Sequence, residues 1–512
     1  MFWGLERGDA CMKSKDSFRF YGRERELAEI DRFLTSSGAG FTFLRGRRRI
    51  GKTELLKKVR DGRPNTFFFM GRDDESNRQA LRRFAREWDA FRGSRELVRL
   101  RESELNWDEC FRAVLRAITP GAKTVPLLCI FDEIQWLSKK GSGFCGLLKE
   151  HWSEWKKRSA VKLILSGSSN GFFHRYADGE NAVLRGLRTH ATIWVRPFTL
   201  REVKTYYFPG WSPEEICLVY MMIGGVPYYL ENVRSRENFM RAVNGSFFTR
   251  DTIFLEEVDS LLKLEAATTG ARARIKEILA CLGQDGATES SVIRKTGYGQ
   301  DYVHKVIDRL IDYGIVHERR PLESVKSNRS GVRYYMDDFY LNFYFQVLRP
   351  MESKIRGNTD GLLFSSDVVK SKNGFYIPDF TGKAFELLIA DILRYGCDDE
   401  SQRRQGMYTR MSLKKGRYEW GTYWKHGETQ IDLVAAGTDD RELRIIEVKW
   451  IGGTTPDASG LAKGVVSKLY DTGKWKSWRR SHYLVLSRKA GRTLTQQCAA
   501  RGVMVVSIDD LF

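Results

Sequence analysis

The sequence predicts an α/β chain built on a parallel sheet, with a second, smaller α/β unit at its C-terminal end. Two observations carry that prediction. Between about residues 20 and 200, five apolar runs (FTFLRG, NTFFFM, PLLCIFDE, KLILSG and TIWVRPF) alternate with helix-patterned stretches. Their unbroken apolarity suits strands covered on both faces. Far downstream, GETQIDLVAAG and ELRIIEVKW read as two more strands set among helical patterns. The 512 residues leave room for roughly three or four domains. The predicted divisions are a tail at 1–17, a sheet core at 18–210, a helical segment at 211–265, a three-helix module with a ribbon at 266–340, a linker at 341–374 and the C-terminal unit at 375–512.

Composition narrows the class. A hydrophobic fraction of 42% supports real cores. No segment approaches the ~18 apolar residues of a membrane helix, so no membrane partner is expected. The opening MFWGLERGDACMKSKDS holds acids and no apolar run, unlike a secretory signal. The eight cysteines are scattered without a C-x-x-C pair, which predicts neither a zinc site nor a disulfide framework. A reducing cytoplasm is the expected home. Lys and Arg number 85 against 65 Asp and Glu, a formal charge of +20. That excess points to a polyanionic partner, with nucleic acid the first choice.

The first strand opens onto a phosphate loop. Gly46-Arg47-Arg48-Arg49-Ile50-Gly51-Lys52-Thr53 fits G-x-x-x-x-G-K-[ST], with a strand before it and the helical ELLKKVR after it. Glycines let backbone wrap phosphate, and loop N–H groups at a helix start favour negative charge. Lys52 is expected to reach the β- and γ-phosphates and Thr53 to bind Mg2+. The three arginines occupy variable positions, where backbone does the cradling. PLLCIFDE ends in Asp132-Glu133 at the C-terminal end of a parallel strand. Asp132 is expected to hold the Mg2+ through water, and Glu133 to orient or deprotonate the attacking water. In KLILSGSSN, Ser166 or Ser168 either senses the γ-phosphate or forms a turn.

FYGRERELAEIDRFL, GRRRIGKTELL, LLCIFDEIQWL, LILSGSSNGF, WVRPFTLREV and IGGVPYYL occur in one order. As an ordered set they resemble the archaeal-type ATPase family, a branch of the AAA+-like, STAND-related P-loop ATPases. The resemblance covers about residues 18–265. It implies ATP or another NTP as ligand, a helical lid, and Phe20 to Arg23 lying near the base. It also implies an arginine finger ahead of the last core strand. In VLRGLRTHATIWVRPF the family's glycine and arginine are separated, so Arg188 is the first choice and Arg185 the rival. A homo-oligomer follows if that arginine acts in trans.

Residues 271–320 read as three short helices and the start of a ribbon. Ile275, Ile278, Leu279 and Leu282 form one apolar stripe; Val303, Val306, Ile307, Leu310 and Ile311 form another. The pattern resembles a winged helix-turn-helix. DYVHKVIDRL would be its recognition helix, exposing Tyr302, His304, Lys305 and Arg309 beside Arg294 and Lys295. DNA is the expected partner, with protein docking the alternative.

In the strand ELRIIEVKW, alternation puts Glu447 and Lys449 on one face. The same rule aligns Gln430 with Asp432 in GETQIDLVAAG, and pairing the two strands brings Asp432 toward Glu447 and Lys449. Two carboxylates beside a lysine suit a hard divalent ion, Mg2+ or Mn2+. Over residues 375–512 the arrangement resembles the restriction-endonuclease-like PD-(D/E)XK fold. GKAFELLIADIL then supplies a further helical acid, Glu386, as metal ligand, while Ile431 replaces the motif's proline. The fold as a whole is therefore expected to be a P-loop AAA+-like sheet with a helical lid, a winged helix-turn-helix and a C-terminal nuclease-like α/β domain. The expected activity is ATP hydrolysis coupled to metal-dependent DNA cleavage. The alternatives are a non-cleaving nucleotide switch and a mobile-element or defence recombination factor.

Overall fold

The computed structural model describes residues 20–118, 125–139, 141–158, 161–168, 170–263, 268–283, 286–312, 314–319, 332–358, 361–369, 377–396, 406–414, 416–423, 431–451, 460 and 477–512. The predicted tail and Gln430 lie outside the described residues.

Five apolar runs form the predicted sheet. β1 (Gly40–Arg45), β2 (Thr66–Met70), β3 (Leu127–Asp132), β4 (Val161–Gly167) and β5 (Ile193–Trp194) lie in the order β2-β3-β4-β1-β5, all neighbours parallel. Every residue of β1, β3 and β4 is buried, which is why these runs carry no polar alternation. The interposition of β4 between β1 and β3 brings the C-terminal ends of all three together, so the loops that follow them converge. Aromatic packing fills one face. Phe84 meets Phe67 at 5.2 Å edge to face and Trp107 at 5.6 Å, contacts worth about 0.5–1.5 kcal/mol each beyond burial.

The helices Pro213–Ile223, Phe239–Phe247 and Ile253–Leu262 form the expected helical segment. The first is capped by Ser212 and Glu215, starts on a proline, and has every residue from Ile216 to Ile223 buried. It is apolar all round because it is central. The IGGVP turn after it admits only glycine at 225. A Cβ there would lie 1.9 Å from the Phe198 carbonyl oxygen, and Phe198 N donates to Gly225 O at 2.7 Å. Beyond it come the three predicted helices, Thr269–Leu282, Glu289–Thr296 and Gln300–Asp312. The antiparallel ribbon β6 (Val316–Arg319) and β7 (Arg333–Met336) follows. All four residues of the first predicted stripe are buried, as are all of the second except half-buried Ile311.

The linker expected at 341–374 is corrected by the structure. Phe339–Phe343 is a buried helix that continues as a π-turn over Tyr344–Leu348, and Glu352–Gly357 is helical. The polar ESKIRG is itself a short helix, anchored by its buried Ile355, and the aromatic run before it packs inward. Phe343 meets Phe380 at 5.5 Å, directly ahead of the helix Thr381–Gly396. One continuous apolar cluster runs from Ile30 to Leu511, so this connector lies inside shared core.

The C-terminal sheet has the order β12-β11-β10-β9-β8, formed by β8 (Tyr418–Tyr423), β9 (Ile431–Gly437), β10 (Glu442–Lys449), β11 (Arg479–Leu486) and β12 (Val503–Ser507). β8, β9 and β10 are antiparallel; β10, β11 and β12 are parallel. Thr381–Gly396 packs on β10, β9 and the central helix Pro213–Ile223. Arg488 joins the two units through a two-point ion pair with Glu214, 2.9 Å at each contact. Among the described residues, no helix is long and apolar enough to cross a membrane.

Asp391 marks the junction. Burial, aided by Asp337 and opposed by Arg394, Arg196 and Arg319, pushes its carboxyl up to about 7. Folding therefore favours the protonated form, a stabilisation complete below the ordinary carboxylate pKa of ~4 and lost as pH rises through about 7. The stability advantage of Asp391→Asn over wild type should grow between about pH 5 and about pH 8 by up to about 1.4 kcal/mol per unit of upward shift. Urea unfolding at the two pH values measures it.

Candidate functional site

The loop after β1 and the ends of β3 and β4 form the first site. Gly46 sits where a Cβ would lie 2.6 Å from the Val195 carbonyl oxygen, so the loop can press against the segment after β5. Lys52 opens the helix Lys52–Asp61, and its buried ammonium donates to Gly46 O (3.0 Å), Arg47 O (3.0 Å) and Ser168 Oγ (3.2 Å). Burial lowers its pKa, an effect opposed by Glu133 and Asp132. Ser168 Oγ also donates to Glu133 Oε1 at 2.9 Å, which links lysine, serine and glutamate in one chain. Ser166 is buried in β4, and Ser168 alone of the two reaches these partners.

Thr53 Oγ1 donates to Asp132 Oδ2 at 2.6 Å. Asp132 Oδ1 is buried with no hydrogen-bond partner. An orphaned buried carboxylate oxygen is costly unless something completes it. Beside a threonine hydroxyl it is the hard-oxygen donor set that Mg2+ takes, so these residues fit the ion. Glu133 holds a left-handed conformation, φ 48°, and its carboxylate is fixed by Ser168 and Gln135. Strained backbone of this kind persists where its surroundings enforce it.

Arg23 ties the amino-terminal segment to the loop. Its buried guanidinium donates to Ile50 O (2.9 Å), Arg196 O (2.5 Å) and Glu26 (2.9 Å), and lies 4.2 Å from the Phe198 ring centroid. Tyr21 stacks on Tyr206 at 5.7 Å. Arg188 is exposed and donates to Thr192 Oγ1; Arg185, also exposed, donates to Glu180 O. Both engage local partners.

The loop arginines face away from the cradle. Arg47 pairs with Asp338 at 2.6 Å. Arg48 donates to Ser260 O at 3.1 Å. Arg49 makes a two-point pair with buried Glu257 at 3.1 and 3.2 Å and lies 4.1 Å from the Tyr228 ring centroid. Burial acts against the Arg47 and Arg49 charges, but Asp338, with Tyr229 and Glu257, raises the Arg47 pKa, and Glu257 raises that of Arg49. Sequence reasoning missed Asp338 and Glu257. Glu257 carried a signal: it sits on the apolar stripe of IFLEEVDSLL with Phe254 and Val258, where an acid requires a partner.

The second site is the β9–β10 hairpin. Ile446 pairs with Leu433, so the next step of the register sets Glu447 across from Asp432. Lys449 Nζ lies 2.6 Å from Glu447 Oε1 and 3.4 Å from Asp432 Oδ2, and Asp432 Oδ2 accepts from Val448 N at 2.9 Å. Both carboxylates are buried. Burial opposes the Lys449 charge, but Asp432, Glu447 and Glu386 raise its pKa. Glu386 faces them from the helix above. Burial and the Asp432 charge push its carboxyl up to about 7, against Lys383, which lies 3.0 Å away, and Lys449. The expected three-acid grip on a metal is corrected in one respect. Among the described residues, no three His, Cys, Asp or Glu side chains gather closely enough to hold an ion. Lysine, not a third acid, fills the space between Asp432 and Glu447.

Residues 20–233 match a family of ATPase domains predominantly from Archaea, and residues 344–460 match a family of archaeal and bacterial proteins of unknown function. The second match contains Glu386, Asp432, Glu447 and Lys449. The chain is 26% identical to the uncharacterised protein MJECL04 of Methanocaldococcus jannaschii, over 84% of this chain and 87% of the relative. Among solved structures it is similar to a Walker-type ATPase of Pyrococcus abyssi, with 16% identity, a TM-score of 0.47, and coverage of 64% of this chain and 96% of that one. It is also similar to a STAND ATPase with a tetratricopeptide-repeat sensor from Pyrococcus horikoshii, with 16% identity, a TM-score of 0.29, and coverage of 77% and 51% respectively.

Asp132→Asn keeps an acceptor for Thr53 and removes the lone carboxylate oxygen. It should weaken nucleotide binding about tenfold or more in Mg2+, a loss of ~1.4 kcal/mol, and leave binding in EDTA unchanged. Titration calorimetry under both conditions measures this.

Proposed function

Because residues 20–233 carry an ATPase domain of the predominantly archaeal family, we propose that the chain binds and hydrolyses ATP with Mg2+ and couples that cycle to a C-terminal unit that cuts nucleic acid. The observation that carries the ATPase half is the set of contacts across the β1, β3 and β4 loops: Thr53 to Asp132, and Lys52 to Ser168 to Glu133. Lys52 would exchange its carbonyl acceptors for β- and γ-phosphate oxygens. Thr53 and Asp132 would hold Mg2+, which supplies positive charge at the phosphates. Glu133 would orient the attacking water and accept its proton, and Ser168 holds Glu133 against Lys52 until phosphate separates them.

The C-terminal half rests on Asp432, Glu447 and Lys449 meeting at the end of one hairpin, under a helix that carries Glu386. This agrees with the PD-(D/E)XK arrangement. Burial, reinforced by the Asp432 charge, pushes Glu386 up to about 7, and a divalent ion would relieve the charge part of that cost. An ion here would require Lys449 to leave its place between Asp432 and Glu447; those two carboxylates would then hold Mg2+ or Mn2+, and Lys449 would face the scissile phosphate. The three helices and ribbon agree with a winged helix-turn-helix, joined by the bridge between Ala287 and Tyr334.

A second reading has its own support. The helix Gln300–Asp312, expected to read DNA, touches the turn Asn170–Phe173 of the first unit. Its His304 sits between Glu289 (3.3 Å) and Asp308 (3.2 Å), carboxylates that repel a phosphate backbone. In this reading the module docks on protein, and the chain is a nucleotide switch that does not cleave.

One assay separates the readings. Wild type, Lys52→Ala and Lys449→Ala are incubated with Mg2+ or Mn2+, with and without ATP, on duplex, single-stranded and branched DNA and on RNA. The coupled reading expects Lys52→Ala to lose ATP hydrolysis, and Lys449→Ala to lose cleavage about a hundredfold or more with hydrolysis intact. Hydrolysis without cleavage of any substrate favours the switch.

A further inference from the structure

The phosphate loop is tied to the rest of the chain through the side chains of its arginines. Arg47 contributes its own carbonyl to Lys52 at 3.0 Å, so its backbone belongs to the cradle. Its side chain reaches Asp338 at 2.6 Å, in a later part of the fold. Asp338 divides its two oxygens between two tasks. Oδ1 accepts from Leu341 N at 3.0 Å, fixing the start of the helix Phe339–Phe343, and Oδ2 takes the Arg47 guanidinium. That helix is clamped on the lid by Tyr340, whose hydroxyl donates to Phe254 O at 2.8 Å. Its other end, Phe343, packs on Phe380 at 5.5 Å, where the helix Thr381–Gly396 begins. Phe385 of that helix meets Trp450 at 5.3 Å, the residue after Lys449.

We propose that Asp338 is a positioning residue of the phosphate loop, and that the Arg47–Asp338 pair transmits nucleotide occupancy to the Glu386, Asp432, Glu447 and Lys449 cluster. The inference rests on the reading of the loop as a nucleotide site and goes beyond it by naming how that site reaches the C-terminal unit. The phosphates of a bound nucleotide draw Lys52 off the Gly46 and Arg47 carbonyls, and the loop backbone at Arg47 moves with it. A two-atom ion pair on a fixed helix start converts that shift into a push on a rigid element. Arg49 on Glu257 and Arg48 on Ser260 couple the same loop to the lid. Asp338 is the partner, among those named here, that sits at the start of the helix leading into the connector.

Hydrogen exchange of the full chain tests this, with and without Mg2+ and the non-hydrolysable analogue AMP-PNP. The readout is protection of peptides from 339–357 and 381–396, alongside the analogue's Kd. Asp338→Asn retains the Oδ1 acceptor for Leu341 N and removes the charge. In wild type the analogue changes protection in both segments. In Asp338→Asn, at an analogue concentration that saturates the variant, the change at 381–396 is lost. Arg47→Gln, likewise at saturation, loses the change at 381–396 from the other side, and the double variant is no worse than either single one. Asp338→Glu, which keeps the charge, restores the response. A full response at 381–396 in Asp338→Asn and Arg47→Gln overturns the inference, as does a wild-type protein that binds the analogue without any change there. A wild-type protein that binds no analogue overturns the nucleotide reading and the inference with it.

Discussion

The Thr53–Asp132 contact, 2.6 Å long, joins the helix start after β1 to the end of β3, two strands that are not neighbours. It exists because β4 lies between β1 and β3, so that three loop ends face one another across one crevice. Everything at the first site follows from that order. Ser168, at the end of the intervening strand, is the natural bridge between Lys52 and Glu133. Asp132, buried at the strand end, is left with one satisfied oxygen and one unsatisfied one. A polar group in that state stores a cost of about 1–3 kcal/mol, and a ligand that completes it recovers that cost on binding.

The second organising feature is charge taken out of water. The loop arginines cluster where a polyanion is to bind, yet their guanidinium groups are committed to Asp338, Glu257 and Ser260. Paired this way they do not act as free phosphate ligands. They fasten the loop to the helix Ile253–Leu262 and to the start of the helix Phe339–Phe343. Glu257 is buried and would be untenable without Arg49 and the Tyr229 hydroxyl. The C-terminal hairpin uses the same device on a smaller scale, with Lys449 held between two buried carboxylates and a third acid poised above them.

Much of this was legible in the sequence because the signals were local. Strands buried on both faces show as unbroken apolar runs, and four of the five were read close to their full length. TIWVRPF promised a longer fifth strand than the two residues of β5, because Pro197 and the turn toward Phe198 end the pairing early. Glu447 and Lys449 were placed on one face by alternation alone, and the hairpin register did the rest. What was not legible was contact between distant segments. Asp338 reads as the end of a ribbon, and nothing in MDDF announces a partner in the phosphate loop. The expected linker shows the same limit: its polar stretch carries the stronger local signal, while the aromatic run ahead of it belongs to the shared core. The helix carrying Glu386 was recognised, but its distance from the hairpin acids depends on packing that no periodicity encodes.

The central claim is that Glu133, held by Ser168 and strained at the end of β3, is the group that drives hydrolysis at a phosphate loop built by Lys52, Thr53 and Asp132. Its most direct test is Glu133→Gln, assayed for Mg2+·ATP retention and for phosphate release under single-turnover conditions. The account predicts ATP held at close to wild-type affinity, with release slowed about a hundredfold or more. Release at the wild-type rate, or a protein that retains no ATP at all, would contradict it.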